Sequence, residues 1–246
     1  MGQTPPVVEE FAATLAELGW ISDVLVAGSL ATGDYVPGVS DLDLVAITDG
    51  PVDEHRQAAL AAIHRDIDAN ADPGLNLGCV YVDAAALLDV GTKHPTWTHG
   101  LLAQRILSGV TRAELVRHGY AVRGRSPQEV LPGVSDDDVR AAARAELSGY
   151  WAWAVRRPWM WLNPALSDLG LTSMARARHA LRTGTLLTKS DAVEQADAPG
   201  WLIEQLRARR RGGELTSPRL RTALIAWRDA RRTVGSVNSP GPGLSE

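Results

Sequence analysis

The chain has 246 residues, a net charge of −4 at neutral pH, 45% hydrophobic residues and 22% charged residues, with one cysteine, Cys79. Those are ordinary globular values with room for two modest domains, and a lone cysteine excludes an intrachain disulfide and fits a reducing compartment. An acidic balance without a basic–aromatic pattern argues against nucleic-acid binding, and no apolar run approaches the ~18–20 residues of a membrane span.

The N-terminus lacks the basic-then-apolar layout of a signal peptide, so a cytoplasmic protein without membrane partners, acting as a monomer, is expected. Pro5 and Pro6 precede Val8, Phe11, Leu15 and Leu18 at helical spacing, stopped by Gly19. "DVLVAG" (23–28) and "DLDLVAI" (41–47) read as β-branched strands, the second followed by a Gly-Pro turn at 50–51. Residues 54–69 carry Leu60, Ile63 and Ile67 on one helical face, "LNLGCVYVD" (75–83) reads as a third strand, and "ELVRHGYAV" (114–122) as a weaker fourth. Strands alternating with helices predict an α/β layer. After "RSPQEVLPG" (125–133) the composition turns helical, over 136–155, 164–183, 201–211 and 217–232. The expected organisation is residues 1–133, then a helical domain over 134–234, then a disordered tail over 235–246.

Charge divides unevenly along the chain. Residues 1–133 hold 8 Lys+Arg against 17 Asp+Glu, a balance of −9, and residues 134–246 hold 17 against 12, a balance of +5. Solvated helix faces are one explanation. The other is an acidic half that holds metal and a basic half that holds phosphate.

The chemistry concentrates in "GSLATGDYVPGVSDLDL" (28–44). Gly28 permits a tight turn with close backbone approach. Ser29 follows it as a helix-capping hydroxyl that aims N–H groups at an anion. Ser40, Asp41 and Asp43 open the next strand, where residues two apart share a face. Two carboxylates that close repel each other unless a cation lies between them. Mg²⁺ takes one or two carboxylates plus phosphate oxygens and water, so this pattern suits a nucleoside triphosphate gripped through magnesium.

"GS" followed eleven residues after the serine by "SDLDL" resembles the signature of the DNA-polymerase-β-like nucleotidyltransferases. "LTSMARARHALRTGTLLTKSDAVEQA" (171–196) is similar to the helical domain of the aminoglycoside adenylyltransferases that modify streptomycin and spectinomycin. The resemblance runs from about residue 20 to about 210. It implies an α+β fold, in which a polymerase-β-like nucleotidyltransferase domain of mixed sheet and flanking helices precedes an all-α helical bundle. It also implies AMP transfer from ATP to a hydroxyl of a small molecule, aminoglycoside-like, with Mg²⁺ as cofactor. Gly28, Ser29 and Ser40 then shape the nucleotide site, Asp41 and Asp43 hold Mg²⁺ and are catalytic, and Arg176 and Lys189 contact the ATP phosphates. "GTLLTKS" (184–190) mimics a phosphate-binding P-loop, but Thr188 stands where that motif needs glycine.

The chain departs from the family at three places. The family's general-base glutamate falls on Asn76, an amide without usable basicity. Asp83 ends the same strand at odd spacing from Asn76 and serves as a substitute only if the register shifts. The drug-contacting tryptophan falls near Leu101, and the acidic residues ahead of the arginine helix fall near Leu166. Trp159 and Trp161, after Pro158 in "GYWAWAVRRPWMWLNP" (149–164), are either core residues or walls of an acceptor site. Asn76 keeps open a second reading, a nucleotide-binding homologue with weak or no transferase activity.

Overall fold

Val8, Phe11, Ala12 and Leu15 recur at helical spacing, and all four are buried along one stripe of α1 (Pro6–Glu17). The computed structural model describes residues 4–70 and 75–238. The chain divides between Val134 and Ser135 into two units.

In the first unit α1 leads to β1 (Ile21–Val26), α2 (Gly28–Ala31), β2 (Leu42–Thr48), α3 (Glu54–Asn70) and β3 (Leu77–Asp83). Then come β4 (Lys93–Thr98), β5 (Leu101–Ile106), α4 (Gly109–His118), β6 (Tyr120–Arg123) and α5 (Pro127–Val130). The strands form one sheet in the order β5-β4-β3-β2-β1-β6. β2 and β3 pair in parallel from Leu42↔Leu77 to Thr48↔Asp83, with α3 as the crossover, and the other neighbours pair antiparallel.

Alternation along β2 divides its side chains between two cores. Leu42, Leu44 and Ala46 pack with Phe11, Leu15 and Leu60 on one face, while Val45 and Ile47 pack with Leu25, Val82 and Leu115 on the other. Asp41 and Asp43 continue the second row past its apolar end. His64 of α3 is fully buried, with Nε2 2.7 Å from the Tyr81 hydroxyl and its ring stacked on Trp97 at 4.9 Å. Asp23, 1% exposed, is held by Arg125 through Nη2 at 2.8 Å and by the Arg125 backbone N–H at 2.6 Å.

One local expectation about the sheet is corrected here. The strand expected over 114–122 is helical up to His118, and only Tyr120–Arg123 pairs with β1. Ser108 starts that helix by accepting the Thr111 N–H at 3.2 Å, and Leu115 is buried against the sheet. β4 and β5 were not signalled by the sequence, since β4 carries Pro95 and a polar composition. A tight turn joins them, with positive φ at both His99 (49°) and Gly100 (75°), the dihedrals of a two-residue hairpin loop.

The second unit is helical: α6 (Asp136–Glu146), α7 (Ala152–Val155), α8 (Pro164–Thr183), α9 (Lys189–Glu194), α10 (Gly200–Arg210) and α11 (Arg219–Asn238). Ser135 and Asp138 cap α6 reciprocally. The single helix expected over 136–155 is interrupted by a wide turn at Leu147–Trp151, where Gly149 leaves helical dihedrals (φ −89°, ψ −105°). Leu147, Trp151, Trp161, Met174, Leu202, Leu206, Ala226 and Ala230 share the core of this unit. Of the tail expected over 235–246, residues 235–238 belong to α11, and residues 239–246 lie outside the described residues. Among the described residues no helix is long and apolar enough to cross a membrane.

Candidate active site

β1 runs out at Val26, and the Ala27 N–H still pairs with the Asp43 carbonyl at 2.8 Å, which holds the following turn against the head of β2. Gly28 then takes φ +60°. A Cβ at that residue would stand 2.2 Å from Asp43 Oδ2, so the turn lies directly on the carboxylate. Only glycine meets both demands.

Ser29 is 4% exposed, and its Oγ is buried with no hydrogen-bond partner among the described residues. A buried hydroxyl left unsatisfied is costly, and such groups mark places where a ligand or ion completes the bonding. Ser40, 5% exposed, accepts the Val36 N–H on Oγ at 3.0 Å and closes the loop that returns the chain to β2. Asp41 and Asp43 follow at the head of β2, both half-buried. Asp41 Oδ1 accepts a hydrogen bond from Asn76 Nδ2 at 2.7 Å. The structure thus brings Gly28, Ser29, Ser40, Asp41 and Asp43 together in the first unit and adds Asn76 to them.

Hard carboxylate oxygens and a small hydroxyl suit Mg²⁺, which leaves most of its positions to phosphate oxygens and water. Among the described residues no cluster of three or more His, Cys, Asp or Glu could hold a metal alone. Two carboxylates beside an unsatisfied hydroxyl therefore fit a magnesium–triphosphate pair better than a metal bound by protein alone.

Asp83 does not join this group. The parallel register puts it opposite Thr48, at the other end of β3 from Asn76. Seven residue steps along the strand separate the two, about 23 Å. Its carboxylate instead accepts the Ala85 N–H at 3.0 Å and caps the turn that follows. The pairing of β2 with β3 runs without a bulge, so the register shift that would bring Asp83 towards Asn76's end of the strand is not present.

In the second unit Arg176 lies on α8, and its Nε donates to the Leu187 carbonyl at 3.0 Å. Lys189 opens α9, whose cap is the Thr188 hydroxyl accepting the Asp191 N–H at 3.0 Å. Arg176 and Lys189 thus flank one turn. That turn leaves α8 through Gly184, at φ +75°, where a Cβ would stand 2.4 Å from Asp136 Cβ.

The tryptophan pair separates. Trp161 is 1% exposed and donates from Nε1 to the Ala154 carbonyl at 3.2 Å. A Cβ on Gly170 would stand 2.3 Å from its ring. It is a core residue with no face left for an acceptor. Trp159, 65% exposed, is open to solvent. Leu101 is also exposed, and Leu166 packs against the helical core.

Sequence reasoning missed the bond between Asn76 and Asp41. Its signal was the parallel pairing of β2 and β3, which sets residue 76 beside residue 41, but only coordinates give the register.

Residues 8–73 match the family described as nucleotidyltransferase domain. No curated protein matches the chain. Among solved structures, spectinomycin adenyltransferase AAD(9) from Enterococcus faecialis, solved with ATP and spectinomycin, superposes with a TM-score of 0.68 at 15% identity. That match covers 91% of this chain and 98% of that one. A toxin–antitoxin structure with AMP-PNP matches at 18% identity over 62% of this chain and 94% of its own, with a TM-score of 0.29, too low to carry an argument. Part of the first unit is thus similar to a nucleotidyltransferase domain, and over nearly its whole length the chain has the α+β fold seen in the spectinomycin adenyltransferase.

Proposed function

We propose that this protein transfers AMP from ATP to a hydroxyl of a small, aminoglycoside-like molecule. The observation that supports this most is the contact of the Gly28–Ser29 turn with Asp43, at the head of a strand that also bears Asp41. That contact supports a reading in which a turn that binds phosphate is coupled to carboxylates that hold a divalent cation. In this reading Asp41 and Asp43 hold Mg²⁺, which when bound neutralises charge on the triphosphate. Ser29 donates its unsatisfied hydroxyl to a phosphate oxygen, and Ser40 fixes the strand that carries the two aspartates.

The acceptor oxygen attacks the α-phosphorus, the bridging bond between the α- and β-phosphates breaks, and pyrophosphate leaves. The hydroxyl proton passes to solvent, because Asn76 stands where a carboxylate base would. Arg176 and Lys189 are assigned to the phosphates, where positive charge offsets what develops on the departing pyrophosphate. Trp159 is the aromatic residue left to stack on an acceptor. The spectinomycin bound in the neighbouring structure makes spectinomycin and streptomycin the first acceptors to try.

The test is pyrophosphate release from ATP and Mg²⁺ with a panel of aminoglycosides and spectinomycin, with mass spectrometry for an AMP adduct on the acceptor. Release that requires one acceptor, together with that adduct, is the expected result. Asn76 also favours a second reading, a homologue that binds nucleotide and transfers poorly, since loss of a general base costs about 10²–10⁴ in rate. Mg²⁺-dependent ATP binding without acceptor-dependent release would select it.

A further inference from the structure

Asn76 is tied to the head of β2 twice. Its carbonyl accepts the Leu42 N–H at 2.8 Å, which sets residue 76 beside residue 41, and its side-chain Nδ2 donates to Asp41 Oδ1 at 2.7 Å. The amide nitrogen is the end that faces the carboxylate, because oxygen against oxygen would repel. We infer that Asn76 is a positioning residue: it holds the Asp41 carboxylate in one orientation and presents its other oxygen, Oδ2, to a divalent cation. The inference rests on the reading of Asp41 and Asp43 as the cation-holding pair.

Two physical consequences follow from a neutral donor at this place. A carboxylate restrained before the cation arrives loses less rotational freedom when it binds. The amide also adds no charge, so the cation-free site contains two carboxylates on one strand face where an acidic residue at 76 would make three. The strand pairing shows that the link is built in: the backbone bond from Leu42 would persist in any variant at 76, so a side-chain change alters the restraint without removing the pairing.

The experiment is a Mn²⁺ titration, read by electron paramagnetic resonance, of the full chain saturated with a non-hydrolysable ATP analogue. Partners that orient metal ligands typically contribute 10–100-fold to metal affinity. Asn76→Ala should therefore weaken Mn²⁺ binding by about 10–100-fold relative to wild type. Equal affinity in that variant and wild type would overturn the positioning role while leaving the cation site in place. Wild-type protein that binds no Mn²⁺ would instead overturn the site reading, and this inference with it. Asn76→Asp supplies a second readout should the alanine variant fail to fold. Its thermal midpoint should fall without metal, through repulsion between residues 41 and 76, and rise with Mn²⁺ by more than the wild-type midpoint does. A Mn²⁺ response equal to that of wild type would count against the inference.

Discussion

Gly28 and Asp43 fit together only because residue 28 has no side chain, since a Cβ there would stand 2.2 Å from Asp43 Oδ2. The positive φ of +60° at Gly28 adds a second constraint. Gly28→Ala should cost about 1–2 kcal/mol of stability through the left-handed backbone alone. It should also push the Asp43 carboxylate aside and weaken Mg²⁺-dependent ATP binding at least tenfold. Calorimetric titration checks the second effect. Unchanged affinity would show that Asp43 has room to move, and that the contact with the turn does not matter for binding.

Ser29 provides a separation of stability from binding. Its buried Oγ makes no bond within the described residues, so Ser29→Ala should leave ligand-free stability unchanged or slightly raised. A hydrogen bond to a charged oxygen is worth about 1.5–3 kcal/mol, so triphosphate affinity should fall by about 10–100-fold. Urea unfolding and nucleotide titration together decide this. A loss of stability with no loss of affinity would make Ser29 a packing residue.

The two tryptophans should respond in opposite ways. Trp161→Ala removes a core ring packed on Gly170 and should destabilise the second unit by about 3–5 kcal/mol. Trp159→Ala, at an exposed position, should leave the thermal midpoint unchanged. If Trp159 stacks on the acceptor, its loss should raise the acceptor KM by about 2–10-fold, the value of one aromatic contact, with the KM for ATP unaltered. An equal rise in both KM values would place Trp159 elsewhere in the mechanism.

His64 makes folding stability depend on pH. Burial against Phe11, Tyr81 and Trp97 pushes its pKa down to about 3. The unfolded chain, with an ordinary histidine, binds the proton near pH 6.5. Stability from the neutral ring is thus full above about pH 6.5 and is lost as pH falls toward 3. The loss between pH 7 and pH 5 should be about 2 kcal/mol. Urea unfolding at the two pH values, with His64→Phe as control, isolates this contribution. A wild-type pH dependence no steeper than that of the variant would contradict it.

Helical periodicity made α1 and α3 legible in the sequence, because buried residues such as Phe11 and Leu60 recur on one face of each, and α8 was legible from its composition. β2 was legible from its β-branched run. β4 and β5 were not, since Pro95 and the polar residues around it match no strand template, although the two pair with each other across a tight turn. Within the site, Gly28, Ser29 and Asp43 follow from local spacing, and their mutual contact needed only the return of one hairpin. The bond from Asn76 to Asp41 spans 35 residues and depends on the register of a parallel pair, which local pattern does not encode. Trp161 and Trp159 are two residues apart with the same side chain, and only packing distinguishes them.

The central claim is that Asp41 and Asp43, on one face of the head of β2, form the two halves of a divalent-cation site beside a bound triphosphate. Calorimetric titration of a non-hydrolysable ATP analogue, with and without Mg²⁺, tests it on the wild-type chain and on Asp43→Asn. Wild type should bind at least tenfold more tightly with Mg²⁺ than without it, and the variant should lose that difference while keeping its fold by circular dichroism. Binding that ignores Mg²⁺ in wild type, or a Mg²⁺ effect that survives intact in Asp43→Asn, would contradict the account.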